Sequence, residues 1–248
     1  MNLLLQGIAW LLDGRNWADT ESPGLGSQLL GQLGIASASV LIAAVVAVPL
    51  GVLIGHTGRG RLVAILASNT ARALPTLGLL SAVVVVLTLQ PDWLTPVLPL
   101  AILGIPPLLA GVYSGFESVD RQTIDAARAM GMTEWQVITR VEAPLGLPLI
   151  LGGLRATVLQ IVATATLASF FGYTTVGLAV LAGPASNDYV QMIGGSLLVT
   201  ALALVLDGGF ALLQRLSEPR GVSRGPRSRT TTARGGGVTT TPAGTPVN

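Results

Sequence analysis

GFESVDRQTIDAARAMGMTEWQVITRVEAP, residues Gly115–Pro144, is a polar island between two long apolar runs, and its setting decides the fold. The chain carries 14 basic and 12 acidic residues, and eight of these charges fall within this one stretch. Elsewhere the sequence is oily: half of the residues are hydrophobic, 10% are charged and the mean hydropathy is +0.68. A helix needs roughly 20 apolar residues at about 1.5 Å each to cross a hydrocarbon core some 30 Å thick, and runs of that length recur. An all-α polytopic membrane protein is therefore expected. A charged segment of this length between two spans is placed to touch something in the aqueous phase.

Five transmembrane helices are expected, near Leu29–Gly55, Ala71–Leu89, Leu94–Ser114, Leu147–Phe171 and Tyr189–Leu213. The apolar run Val176–Leu181, cut by Gly183 and Pro184, makes a six-span topology the main alternative. Leu3–Leu12 is too short to span and has no basic region before it, so it reads as a short interfacial helix, not a signal peptide. All 14 basic residues are arginine. With five spans and the N-terminus outside, Arg59, Arg61, Arg121, Arg128, Arg140 and the tail arginines from Arg215 to Arg234 share one side. Arg15 stands on the other, among Asp13, Asp19, Glu21, Asp92 and Asp188. By the positive-inside rule the island is cytoplasmic. Six spans would move the tail arginines outside, so the charge pattern favours five.

Three regions follow: an extracytoplasmic N-terminal segment, 1–28; a transmembrane domain, 29–216; and a disordered basic cytoplasmic tail, 217–248, rich in Arg, Gly, Thr and Pro. Cysteine is absent, which excludes disulfides and thiolate metal sites, and one histidine, His56, makes no histidine-based metal site. No Walker A motif and no nucleophile–base pair stand in the sequence, so neither a bound cofactor nor enzymatic chemistry is expected. The high pI comes largely from the tail, and nucleic acid is not an expected partner.

Within the island, Ser118 or Asp120 can cap a first helix with Val119, Thr123, Ala126 or Ala127, and Met130 on one face. Gly131 can end it at positive φ. Thr133-Glu134-Trp135-Gln136 fits a capping box that opens a second helix running to about Glu142, before Pro144. The result is a protruding elbow, or, on the plainer reading, an amphipathic hairpin on the headgroups.

The elbow resembles the EAA loop of ABC-importer permeases: E-A-A, three residues, G, nine residues, I, one residue, L-P. Asp125, Ala126, Ala127, Gly131, Val141 and Pro144 fall at those spacings, with Asp for Glu, Val for Ile and Ala143 for Leu. IDAARAMGMTEWQ, RVEAPLGLPLILGGLRATVLQIVATATLASFFG and Arg72–Gly78 are similar to permeases for glycine betaine, choline and carnitine. Tyr173–Leu178 departs from the glycine-rich run those permeases commonly carry, and methionine-type permeases have a similar core. The resemblance implies a type I importer core, with Asp125, Ala126, Ala127, Arg128, Gly131, Met132, Val141 and Pro144 coupling it to ATPase subunits. It also implies a second permease subunit and an extracytoplasmic binding protein that selects the substrate. ATP would be bound by the partner subunit.

Thr157, Gln160 and Thr164 share a helical face in the fourth span and are expected either to line the translocation path or to hydrogen-bond between helices. Gly51/Gly55 and Gly111/Gly115 offer small-residue faces, and Pro49, Pro75, Pro99, Pro106 and Pro107 offer bends. Arg72, Arg155 and Asp207 stand in or near spans, where a central charge costs about 2.5–3.5 kcal/mol on insertion scales, and each is expected to snorkel toward the cytoplasmic boundary. Two rival classes stay open. A stand-alone secondary transporter or channel needs ion sites and paired broken helices; a non-transporting anchor for an ATPase needs neither.

Overall fold

The computed structural model describes residues 2–20, 22–60, 75–87 and 94–217, all within one compact unit, Met1–Glu218. Among these residues all regular structure is helical. Helix α1 is Leu3–Leu12, α2 is Leu25–Thr57, α3 is Thr76–Leu87 and α4 is Leu94–Glu117. The island then forms α5, Arg121–Ala129, and α6, Glu134–Val137. A π turn, Ile138–Glu142, joins α6 to α7, Ala143–Ala165, and a 3-10 turn, Thr166–Phe171, follows. The last two helices are α8, Gly177–Ser186, and α9, Tyr189–Ser217.

Four stretches are long and apolar enough to cross a membrane: α2, α4, Glu134–Phe171 and α9. The expected span Ala71–Leu89 is described only from Pro75 to Leu87, within which α3 lies. Arg61, Arg72, Asp92, Glu21 and the tail arginines from Arg220 on lie outside the described residues, as does the expected tail 217–248 apart from Ser217. The run that raised the six-span alternative is helix α8, ten residues or about 15 Å long, half of what a crossing needs.

α2 explains how the spans pack. Its buried positions are Leu25, Gln28, Gln32, Ala36, Ser39, Ala43, Ala47, Gly51 and Gly55, a stripe repeating every three or four residues and built almost wholly of small or polar residues. Its exposed positions include Leu30, Leu41, Val45 and Leu53. This inverts the pattern of a soluble helix. Lipid solvates large aliphatic side chains as well as a protein core does, so helix association comes from close packing along small-residue faces.

The buried stripe receives α4 in register: Ser39 meets Val97, Ala43 faces Gly104, Gly51 meets Val112 and Gly55 meets Phe116. Rising numbers on both helices mean that α2 and α4 run parallel. α7 is antiparallel to both. Gly146 lies on Gly115, Gly153 on Gly111 and Thr157 on Gly104, while Gln32 of α2 reaches Val162. At the two glycine pairs backbone touches backbone, and a Cβ on either partner would fall inside van der Waals contact with the other. α9 runs antiparallel to α7, since Arg155 pairs with Asp207 and Pro148 with Gln214. Thr57, Glu117, Glu142 and Ser217 consequently share one end of the bundle.

The opposite end is closed by polar clasps. Asp19 accepts from Gly24 N at 2.7 Å and from Ser27 Oγ at 2.6 Å, tying the N-terminal loop to the start of α2. These bonds, the hydroxyl's first, hold the Asp19 carboxyl below its ordinary value. α1 packs on α9 through Gly7 on Ile193 and Trp10 on Gly194. The buried Gln32 donates to Val162 O at 3.0 Å and accepts from Val176 N at 3.1 Å, joining α2, α7 and the start of α8.

The glycine crossings set the first expectation. Gly153→Leu should destabilise the detergent-solubilised protein by about 1–3 kcal/mol, the usual cost of overpacking, read as a lower Tm. Gly208→Ala and Gly209→Ala, where an added Cβ meets nothing within 4 Å, should leave Tm unchanged or raise it, because glycine is a poor helix former.

Candidate functional site

The elbow protrudes at the end shared by Thr57, Glu117 and Ser217. Asp120 caps α5, its carboxylate accepting from Gln122 N at 3.1 Å; Ser118 instead donates its hydroxyl to Gly115 O. α5 closes in a Schellman motif: Gly131 N donates to Arg128 O and Met132 N to Ala127 O. This geometry requires the left-handed backbone found at Gly131, φ +86°. Thr133 then caps α6 through the complete reciprocal box, with Gln136 N on Thr133 Oγ1 and Thr133 N on Gln136 Oε1. Helix, glycine turn and capping box thus fix the angle between α5 and α6 within five residues.

Two expectations are corrected. The inner face of α5 is Ile124 and Ala127, which pack with Val119 and Val137 and are flanked by Met132 and Val141. Thr123 and Ala126, expected on one face with Val119 and Met130, are exposed, and Met130 is 77% exposed at the tip. The helix starts at Arg121, so its three-residue inward step falls on Ile124. The second helix also does not stop before Pro144; it continues into α7. Ala143 N donates to Ile138 O, five residues back, and this wider turn lets the chain pass through a proline that has no N–H to give. The elbow's second arm and a membrane-crossing helix are therefore one continuous rod, Glu134–Phe171.

The residues read as coupling the chain to a partner divide into two groups. Asp125, Ala126, Arg128, Gly131 and Pro144 are exposed, whereas Ala127 is buried and Met132 and Val141 are half-buried within the elbow's own small core. Surface chemistry belongs to the first group; the second group keeps the elbow rigid. Arg128 donates through Nε and Nη2 to Glu134 at 2.9 Å each and approaches Asp125 at 3.4 Å, bridging α5 to α6. That carboxylate raises the Arg128 guanidinium pKa above its ordinary value.

The spans carry a second polar feature. Arg155 Nε and Nη2 meet the two carboxylate oxygens of Asp207 at 2.6 and 2.7 Å, and Nη1 reaches Gln214 Oε1 at 3.2 Å. Arg155 lies about 18 Å along α7 and Asp207 about 15 Å back from the end of α9, at roughly 1.5 Å per residue. The expected independent snorkelling is replaced by a half-buried bidentate pair between α7 and α9, the geometry that best offsets the desolvation of two charges.

The face Thr157–Gln160–Thr164 is divided by its surroundings. Thr157 is buried against α4, Thr164 is half-buried and Gln160 is exposed. Both threonine hydroxyls donate within their own helix, to Gly153 O and Gln160 O. Tyr173–Leu178, where the glycine-rich run is missing, remains close-packed: Thr175 bonds Ser169, and Gly177 lies directly on Thr166 O. Among the described residues no cluster of ligands could hold a metal ion.

This architecture has relatives. Residues 47–221 match the family described as the binding-protein-dependent transport system inner membrane component. The chain belongs to this family. It is 30% identical over 201 residues to the glycine betaine/carnitine/choline transport system permease protein OpuCB of Bacillus subtilis (strain 168), covering 79% of this chain and 92% of that one. It is 28% identical to the osmoprotectant import permease protein OsmW of Salmonella typhimurium, over 80% of this chain and 94% of that one. In fold it is similar to the MetNI methionine ABC transporter in an inward-facing conformation, with TM-score 0.68, 20% identity and coverage of 86% of this chain and 98% of that one. An amino acid ABC transporter crystallised with histidines gives TM-score 0.57 at 21% identity, over 77% of this chain and 91% of that one. The protein is thus a multi-pass membrane permease with the all-helical fold of ABC importers.

His56, the lone histidine, closes α2 against the elbow, with Nδ1 at 2.6 Å from Glu142 and Nε2 at 3.0 Å from Glu134. A lone histidine ending a span, opposite an acidic loop, was the available clue.

The intramembrane pair can be tested by paired deletion. Arg155→Met should lower Tm by leaving Asp207 without its bidentate partner. Combining it with Asp207→Leu should recover most of that loss, as measured by thermal unfolding of the purified permease in detergent.

Proposed function

We propose that this permease is the membrane-spanning subunit of an ATP-driven importer of quaternary ammonium osmoprotectants such as glycine betaine, carnitine and choline. In this reading the elbow is the coupling segment. It docks in a cleft of an ATPase subunit through Asp125, Ala126, Arg128 and Gly131, while Ala127, Met132 and Val141 keep it stiff. The observation that carries the proposal is the continuity of α6 with α7 through Pro144. A push delivered at the elbow becomes a tilt of a helix that packs on α2, α4 and α9, which is how closure of partner ATPases would rock the spans between inward- and outward-facing states. The substrate class follows the relatives named above; likeness to methionine transporters supports the fold alone.

Topology is part of the same reading. The parallel course of α2 and α4 supports the five-span reading, with α3 in the second span. The gathering of Arg59, Arg121, Arg128, Arg140 and Arg215 at the elbow's end supports a cytoplasmic position for that end and an outer one for the N-terminal segment; in this reading α1 lies at the outer interface. Two permease subunits face each other, with Gln160 and Thr164 toward the translocation path. A separate binding protein selects the substrate, and ATP binds only in the ATPase.

The test is reconstitution in proteoliposomes with the ATPase and the binding protein. Labelled glycine betaine, carnitine or choline should accumulate with ATP and remain insensitive to an uncoupler. Gly131→Pro, which locks φ near −65° where +86° is needed, and Asp125→Arg should each cut ATPase co-purification and uptake about tenfold or more. Unchanged association in both variants removes the coupling role from the elbow, and uptake that collapses with the uncoupler replaces the importer with a secondary transporter.

A further inference from the structure

We propose that His56 is a positioning residue that locks the inner end of α2 to the elbow, making α2 move with α6 and α7 as one body. The inference rests on the coupling role proposed above and extends it to a helix that the loop motif does not include. The geometry is a continuous polar chain. His56, at the last turn of α2, has Nδ1 at 2.6 Å from Glu142 Oε2 and Nε2 at 3.0 Å from Glu134 Oε2. Glu134 also accepts from Arg128 Nε on Oε1 and Nη2 on Oε2, and Arg128 Nη1 reaches Asp125, the acid of the loop motif. One ring therefore spans the two residues that bracket the π turn, Glu134 at the head of α6 and Glu142 at its exit. Each ring nitrogen faces its own carboxylate, so the ring is held from two sides.

Burial distinguishes this contact from a surface ion pair. The Glu142 side chain is 1% exposed and that of His56 14%, whereas Glu134 is 56% exposed. The buried Glu142 side chain thus takes its hydrogen-bond partner from a different helix, and removing that partner leaves a buried polar group unsatisfied. The two ends of α2 are fastened differently. Its outer half is fixed to α7 and α8 by the buried Gln32, and its inner end is fixed by His56 to the elbow itself. Between them, Gly51 and Gly55 let α2 bear on α4. Motion imposed at Asp125 has a polar route into the first described span.

The experiment uses the full complex in proteoliposomes and reads substrate transported per ATP hydrolysed, together with ATPase co-purification. His56→Ala should leave ATPase association intact and lower transport per ATP about fivefold. His56→Arg, whose guanidinium can donate to two carboxylates, should restore it to within about twofold of wild type. Adding Glu142→Gln to His56→Ala should cost little more than either change alone, because both remove the same contact. Should His56→Ala fail to assemble, His56→Gln retains a donor and similar bulk and carries the same comparison. An unchanged ratio in both alanine and glutamine variants, losses that multiply in the double variant, or failure of arginine to rescue would overturn the proposal. Failure of the wild-type chain to retain any ATPase would instead overturn the coupling reading beneath it.

Discussion

The fold depends on backbone-to-backbone contact between α4 and α7. Gly111 against Gly153 and Gly115 against Gly146 bring two helices of opposite direction closer than any side chain would allow. In a bilayer there is no hydrophobic gain from hiding leucine from lipid, so association rests on dispersion, close approach and the few buried polar bonds. α2 joins the same way, with Ala43, Ala47, Gly51 and Gly55 turned inward. Once these three helices are fixed, the remaining elements have little choice. α9 is drawn to α7 by Arg155 and Asp207, and α3 inserts Leu80 beside Leu100 and Ile161.

Polar groups serve as fasteners at three depths. At the end opposite the elbow, Gln32 satisfies a carbonyl of α7 and the N–H of Val176, the residue just before α8, two groups that lipid could not solvate. In the middle, Arg155 and Asp207 neutralise each other in bidentate geometry. At the elbow's end, His56, Glu134, Glu142, Arg128 and Asp125 form a run of contacts across three helices. The close-packed apolar surfaces between these levels are non-directional and can slide; the fasteners are directional and cannot. A transporter that alternates between two states needs both properties, since each state must be well ordered and neither may be permanently locked.

Much of this was legible in the sequence because the signals were local. Asp120, Gly131 and the Thr133–Gln136 box each act within a few residues of their partners, and each stands where the pattern put it. Four of the spans could be placed because length and hydropathy are properties of single segments. What was not legible lies beyond simple periodicity and propensity. The face shared by Thr123 and Met130 is not the one that packs; Ile124 and Ala127 turn inward instead. Helix propensity cannot anticipate a π turn that carries the chain through Pro144. Nothing near Arg155 or His56 in the chain points to partners that lie 52 and 86 residues away.

The π turn also bears on why the loop motif ends in proline. A continuous α-helix through Ile138–Glu142 would point the Pro144 ring at the carbonyl four residues before it, and the strain would be relieved by breaking the rod. Inserting one wide turn instead keeps elbow and span in line while placing an off-register joint between them. It also shifts the exposed sequence by one position, which carries Glu142 from the surface to the interior, where His56 meets it. The same distortion that accommodates the proline therefore creates the buried carboxylate and gives α2 something to hold. In this chain the proline, the wide turn and the histidine contact act as one device, and the elbow's stiffness depends on all three.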